Sequence, residues 1–334
     1  MKQTHAIRIA AFAVVGIFFA WVLARLDWHE FGQRVAGASI ADLAMMLVLW
    51  MSVLLLRPVR FRFLLHVLGH VEGADYRTIW ASMVLGAAVN SFAPMRAGDV
   101  VLAVFLRQRL GVGMHQSFTV IIADWACDLV CVAIIFFGAL AFAPAIAAWT
   151  DHAIVTLIAL LLVGLAGAWA VLHWRTWVLV LLDRVLTRLV PRWQQRAMAN
   201  AEEILAGLAA ISTWKTALPL VLISLLIWGL AGLSYWFGLR AVFPDASVAG
   251  AVFNMASVTL SFVVPLGSGG MGAFEAASVL ALAVFGVPLE AAIAFAVIAH
   301  MLQLGSVLLF TALAVLTRQI DYKSLRSGAQ KREP

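Results

Sequence analysis

Six stretches of nearly unbroken hydrocarbon constrain this chain more than any other feature. They run approximately over residues 7–24, 39–56, 116–142, 152–172, 216–239 and 289–316. Each approaches the roughly 20 apolar residues that an α-helix needs to cross a bilayer core. The chain is 64% hydrophobic and only 12% charged, against about 45–50% and 25% for soluble globular domains, so water is not its only solvent. These features predict an all-α polytopic membrane protein. Residues 9–23 read as an uncleaved first helix, because no small-x-small cleavage site precedes Leu26 and further spans follow.

Two more apolar regions, about 78–106 and 249–286, are each interrupted near the middle, by "APMRAGD" and by "VPLGSGGMGAFE". Each reads as helix, loop, helix. Backbone at membrane depth must satisfy its own N–H and C=O groups, so such a break is tolerated only inside protein or around a wet cavity. Charge placement favours re-entrant hairpins over pairs of full spans. With hairpins, every Lys and Arg lies on the cytoplasmic side except Arg25, Arg34 and Arg240 outside and Arg96 in the first break, which satisfies the positive-inside rule. The expectation is six full transmembrane helices plus two Pro/Gly-broken re-entrant hairpins, eight membrane segments, with both termini cytoplasmic.

The first hairpin then enters from the cytoplasm and the second from outside. Aligning Pro94 with Pro265 sets Gly98 on Gly269, Gly111 on Gly286 and Asp124 on His300. Two similar units of opposite orientation make an inverted repeat, a common transporter architecture with its site near the midplane. We read residues 1–334 as a single integral membrane domain. Within it, 39–142 is the first repeat unit, 173–215 a cytoplasmic basic amphipathic connector, 216–316 the second, inverted unit and 317–334 a cytoplasmic tail. In the connector, Arg184, Arg188, Arg192 and Arg196 recur every four residues between apolar clusters. That pattern either rests on an anionic leaflet or only fixes orientation.

The breaks also hold the candidate site. Exposed helix N-termini favour phosphate or carboxylate, and Gly267, Gly269, Gly270 and Gly272 leave backbone open to an anion or permit close helix packing. An arginine at the centre of a membrane helix costs about 2.5–3.5 kcal/mol on insertion scales, which makes Arg96 a functional candidate. Asp99, three residues on, is its natural partner, so the pair either binds a ligand or stitches the loop. Glu275 stands at the corresponding exit of the second hairpin. Asp124 and Asp128 share a helix face, as do His300 and Gln303; these four either form a proton or polar relay or hydrogen-bond across helices. Arg57, Arg60 and Arg62, at the inner end of the second span, either anchor it or capture lipid phosphate.

Catalytic and metal signatures are lacking. No GxSxG, HExxH or Walker ending occurs, and Cys127 and Cys131 read as helix-packing residues. No cofactor, metal or nucleic-acid partner is expected.

The segments "LRPVRFRFLL", "NSFAPMRAGDVVLAVFLRQRLG" and "VVPLGSGGMGAFEAASVLALAVFGVP", in this order, resemble the lysylphosphatidylglycerol synthase transmembrane-domain family of flippase-like membrane proteins, over nearly the whole chain. The resemblance implies movement of a lipid or lipid-linked headgroup between leaflets of the bacterial inner (plasma) membrane. By motif position it points to Asn90, Pro94, Arg96, Gly98, Asp99, Gly267, Gly269, Gly270, Gly272 and Glu275 as substrate-binding. Stand-alone members resemble proteins found with hopanoid, polyprenol-glycan or aminoacyl-phospholipid pathways, so membrane lipid and envelope-lipid biosynthesis enzymes are the expected partners. Lysyl transfer is not expected without a soluble aminoacyl-transferase domain. Two other readings stay open: an intramembrane enzyme or enzyme partner modifying a lipid carrier, and a proton-coupled small-solute transporter using Asp124 and His300.

Overall fold

The structure, a computed structural model, describes residues 24–69, 75–93, 96–142, 175–189, 191, 194–211, 213–262 and 272–317. The expected spans at 7–24 and 152–172 lie largely or wholly outside them, as do Pro94, Arg192, Gly267, Gly269, Gly270 and the tail from 318 on. The described residues form eleven α-helices and no strand.

Four helices are long and apolar enough to cross a membrane: α2 (Ile40–Val67), α5 (Met114–Leu140), α8 (Trp214–Val242) and α11 (Leu289–Leu316). Each matches an expected span. The exception in extent is α2, which continues eleven residues past 56, so the Arg57 cluster lies inside a helix rather than at its end. Pro58 within that helix removes one backbone hydrogen bond, and the nearby Leu55 carbonyl accepts the Tyr76 hydroxyl at 2.7 Å. A short amphipathic α1 (Trp28–Ala36) precedes it, capped by Asp27, whose carboxylate accepts the N–H groups of His29 and Glu30.

Helices α2 and α8 form the spine. They run antiparallel along their whole length: Ser39 N–H donates to the Ala241 carbonyl at 3.0 Å, the Ser234 hydroxyl donates to the Met46 carbonyl at 2.8 Å, and Arg60 meets Ser224. The pairing is tight because Gly238 presents no side chain to Met46 and Phe295. Ser39 and Val242 thus mark one end of the bundle, Val67 and Trp214 the other. At the Ser39 end, Arg240 pairs with Asp42 and lies over the Trp236 and Phe237 rings.

The two interrupted regions fold as pairs of short helices. In the first, α3 (Tyr76–Phe92) and α4 (Ala97–Leu110) lie antiparallel, Gly86 against Gly98 near the tip and Trp80 and Val84 with Phe105 farther down. In the second, α9 (Val248–Ser261) and α10 (Ala273–Val284) also lie antiparallel. Phe262 meets Phe274 at the tip and Phe253 meets Phe285 at the base, with ring centroids 6.5 and 5.5 Å apart. These helices have 17, 14, 14 and 12 residues, about 18–26 Å at 1.5 Å per residue, short of a hydrocarbon core of about 30 Å. The first pair starts beside the Val67 end of the spine and the second follows directly on Val242, at the opposite end.

The expected connector contains two helices, α6 (Arg175–Leu189) and α7 (Gln194–Ile211). The latter packs under the Val67 end, Gly207 lying against Thr119 and Leu68.

Candidate functional site

The first tip is built by a helix that cannot start unaided. The opening N–H groups of α4 have no partner inside the helix, and Asn90, near the end of α3, supplies one: its Oδ1 accepts the Gly98 N–H at 2.7 Å. The same amide donates from Nδ2 to Asp99 Oδ1 at 3.2 Å. Arg96 enters the helix in the left-handed region at φ 54°, a conformation disfavoured for residues bearing a Cβ. Its Nε donates to Asp99 Oδ2 at 3.0 Å, and its guanidinium lies 3.8 Å from the centroid of the Trp125 ring on α5. Among the described residues Arg96 spends only this one donor on a hydrogen bond, and its side chain is 43% exposed while that of Asp99 is 12% exposed. The tip therefore presents an accessible cation whose counter-ion is held from behind by Asn90.

The second tip uses a different pair. Gly272, at φ 83°, precedes α10, and Glu275 folds back so that Oε2 accepts the Gly272 N–H at 2.8 Å. The other oxygen, Oε1, lies 2.7 Å from His300 Nδ1, near the middle of α11. The imidazole stacks on Phe274, with centroids 4.7 Å apart and planes at 21°. Gln303, three residues beyond His300, has its Nε2 buried without a hydrogen-bond partner among the described residues.

A third polar cluster joins α2, α5 and α8. Arg60 is fully buried, yet its guanidinium reaches Asp124 Oδ1 at 2.8 Å and Asp128 Oδ1 at 2.7 Å, and Nη1 also donates to the Ser224 hydroxyl at 3.1 Å. Arg57 pairs with Asp128, which accepts the Trp228 indole N–H at 3.1 Å as well. Two cations and two anions make the cluster neutral overall, the condition under which charge is tolerated in such a setting. Asp128 and Trp228 both sit at mid-length of their helices. Of the three arginines expected to anchor α2 or to capture phosphate, Arg57 and Arg60 face these carboxylates and Arg62 is exposed.

Sequence reasoning singled out Asn90, Arg96, Gly98 and Asp99, and the structure brings all four together; it likewise joins Gly272, Glu275 and His300. Asp124 and Asp128 pair with arginines of α2, and His300 with Glu275. Trp125, Ser224, Trp228 and Phe274 were not expected at these sites. The available signal was tryptophan in mid-span, at 125 and 228, away from the interfaces where this residue concentrates. Among the described residues, no three His, Cys, Asp or Glu side chains converge as metal ligands, and both cysteines are free.

No curated protein and no solved structure matches the chain. A family model does, over residues 8–311, a range containing both interrupted regions and all three polar clusters. This multi-pass membrane protein therefore belongs to the family described as the lysylphosphatidylglycerol synthase TM region.

Proposed function

We propose that the protein moves an anionic lipid, or the anionic headgroup of a lipid-linked molecule, between the leaflets of the bacterial inner membrane, as a flippase-like component of envelope-lipid metabolism. In this reading residues 39–142 and 216–316 are inverted repeats, the two helix pairs are re-entrant hairpins, both termini are cytoplasmic and the 173–215 connector lies on the cytoplasmic side. The headgroup passes the tips while the acyl chains stay in lipid. Arg96 meets the phosphate, Asn90, Gly98 and Asp99 hold Arg96 and the start of α4 in place, and Gly272 with Glu275 forms the opposing wall. Pro94, Gly267, Gly269 and Gly270 belong to the same substrate-binding set by motif position. Membrane lipid is the partner throughout, and enzymes of the same lipid pathway would deliver or take it.

One observation carries this proposal. Two helix pairs starting from opposite ends of the bundle bring ionised side chains to the middle of long membrane helices, Arg96 onto Trp125 of α5 and Glu275 onto His300 of α11. Intramembrane charge is expensive and marks substrate or ion pathways, and a half-exposed guanidinium suits phosphate oxygens. Family membership supports a lipid-related role.

The test is leaflet accessibility in vesicles containing the purified protein. Tail-labelled fluorescent phosphatidylglycerol and phosphatidylcholine are each followed with an impermeant quencher. Arg96→Ala should slow the anionic lipid more than the zwitterionic one. Equal rates for Arg96→Ala and wild type, or a wild-type rate no faster than empty vesicles, would reject the proposal.

A further inference from the structure

The intramembrane ion pairs are not equivalent. Arg57, Arg60 and Arg96 meet Asp128, Asp124 and Asp99, and arginine keeps its proton at any pH a cell encounters. Among the described residues, the second tip alone pairs its carboxylate with histidine, the side-chain type suited to proton exchange near neutral pH. We infer that Glu275 and His300 form a proton-binding site at the second tip, and that it ties passage of an anionic headgroup to carriage of a proton. The site stands on its own geometry; the coupling rests on the lipid-translocation reading.

The bonding assigns the proton's place. Glu275 accepts the Gly272 N–H through Oε2 and meets His300 Nδ1 through Oε1, so an ionised carboxylate makes Nδ1–H the donor in both states of the ring. Nε2 is then the nitrogen that gains and loses the proton. With the proton on, the pair is neutral overall; with it off, the pair carries one negative charge. Phe274 stacked on the ring adds a face attractive to a cation.

Among the described residues, no other charged side chain pairs with Glu275 or His300. Glu275 is the sole ionisable residue of α10. From α8 comes Tyr235, its ring 6.4 Å from that of Phe274, while Lys215 and Arg240 lie at the two ends of that helix. On α3 the ionisable residues, Tyr76 and Arg77, open the helix. On α2, Asp42 is paired with Arg240, Arg57 and Arg60 with the aspartates of α5, and Arg62 and His66 lie in its last two turns. On α1, His29, Glu30 and Arg34 sit at the Ser39 end, where Glu290 of α11 itself receives the Asp27 N–H. The net charge of the Glu275–His300 pair itself is therefore set by the proton on His300. An anion passing Glu275 meets a neutral pair when His300 is protonated and a negative one when it is not. Proton and anionic headgroup consequently bind with positive coupling, each raising the affinity for the other by the same factor.

Two measurements test this on the full chain. In the vesicle assay, phosphatidylglycerol movement should fall severalfold from pH 6 to pH 8 with phosphatidylcholine changing little, and His300→Asn, which keeps a donor near Nδ1 but no titrating charge, should flatten the response. Glu275→Gln should flatten it too. In nanodiscs, the 15N shift of the His300 imidazole, identified by its loss in His300→Asn, should report more protonation at pH 7 in phosphatidylglycerol than in phosphatidylcholine. A pH response that persists in folded His300→Asn, or an imidazole signal indifferent to lipid charge, overturns the inference. A wild-type protein that moves neither lipid removes the translocation reading and the coupling with it, while the nanodisc signal still decides the proton site.

Discussion

Gly86 and Gly98 face one another across the first helix pair with no room for a methyl group. A Cβ on Gly86 would stand 2.9 Å from the Gly98 carbonyl oxygen, and one on Gly98 would overlap the Gly86 oxygen. Backbone opposes backbone there, and both contacting atoms are carbonyls that cannot rotate away. Gly98→Ala should therefore force α3 and α4 apart and cost about 1–3 kcal/mol, the range for overpacking. Gly229→Ala, on α8 where a Cβ meets nothing within 4 Å, should be neutral or slightly stabilising, since alanine favours helix over glycine. Thermal unfolding of both variants in detergent checks the contrast.

Removing Arg60 should be among the most damaging single changes in the protein. Its fully buried guanidinium serves both Asp124 and Asp128. Arg57 still compensates Asp128, but Asp124 loses its cation. Breaking a buried pair on one side typically costs about 3–5 kcal/mol, so Arg60→Met should lower the unfolding temperature sharply or prevent purification. The double variant Arg60→Met with Asp124→Leu removes both charges and should recover much of that loss. A double variant no better than Arg60→Met alone would mean that the pairing is not what holds α2 to α5.

This cluster also shows what a sequence of this kind conceals. The local signals held where the structure describes them: both Pro/Gly-rich stretches fall between helices, apolar length marked four of the six expected spans, and the three-residue spacing of Arg96 and Asp99 placed them on one turn. Arg60 and Asp124 were each conspicuous, but 64 residues apart, and their meeting depends on which helices are neighbours, which no periodicity encodes. Arginines following a run of hydrocarbon resemble an interfacial anchor, and only the continuation of α2 to Val67 puts them inside. Glu275 and His300 were likewise visible singly, and the antiparallel packing of α10 on α11 brings them to 2.7 Å.

Asn90 is the hinge of the first tip because it both accepts and donates. Its oxygen takes the Gly98 N–H and its nitrogen gives to Asp99. Asn90→Leu deletes both bonds and leaves part-buried polar groups unsatisfied, at about 1–3 kcal/mol each. Asn90→Asp keeps the acceptor for Gly98 but turns the other contact into carboxylate against carboxylate. Such pairs resist double ionisation, so the shared proton should bind more tightly in the folded protein than in the unfolded chain. The penalty of Asn90→Asp relative to wild type should be small in acid and grow as pH rises to neutrality. Unfolding measured from pH 4.5 to 8 checks it; a penalty independent of pH would show that the two side chains do not meet.

The course of the two helix pairs makes a topological prediction that needs no substrate. If α3 and α4 enter and leave by the Val67 end of the bundle, the exposed residues Arg77 and His115 bracket them on one face of the membrane. Likewise Asp245, exposed before α9, and Glu290, in the first turn of α11, bracket the second pair on the other face. In a background with Cys127 and Cys131 replaced by serine, single cysteines are introduced by Arg77→Cys, His115→Cys, Asp245→Cys and Glu290→Cys. An impermeant maleimide applied to sealed inverted vesicles should label the first two alike, and applied to right-side-out vesicles should label the last two alike. Positive charge near the Val67 end, from Arg62, Arg77, Arg107, Arg109 and Lys215, is the reason to predict that this end faces the cytoplasm. Opposite labelling of Arg77→Cys and His115→Cys would turn the first pair into a broken single span and would remove the geometry on which the midplane site depends.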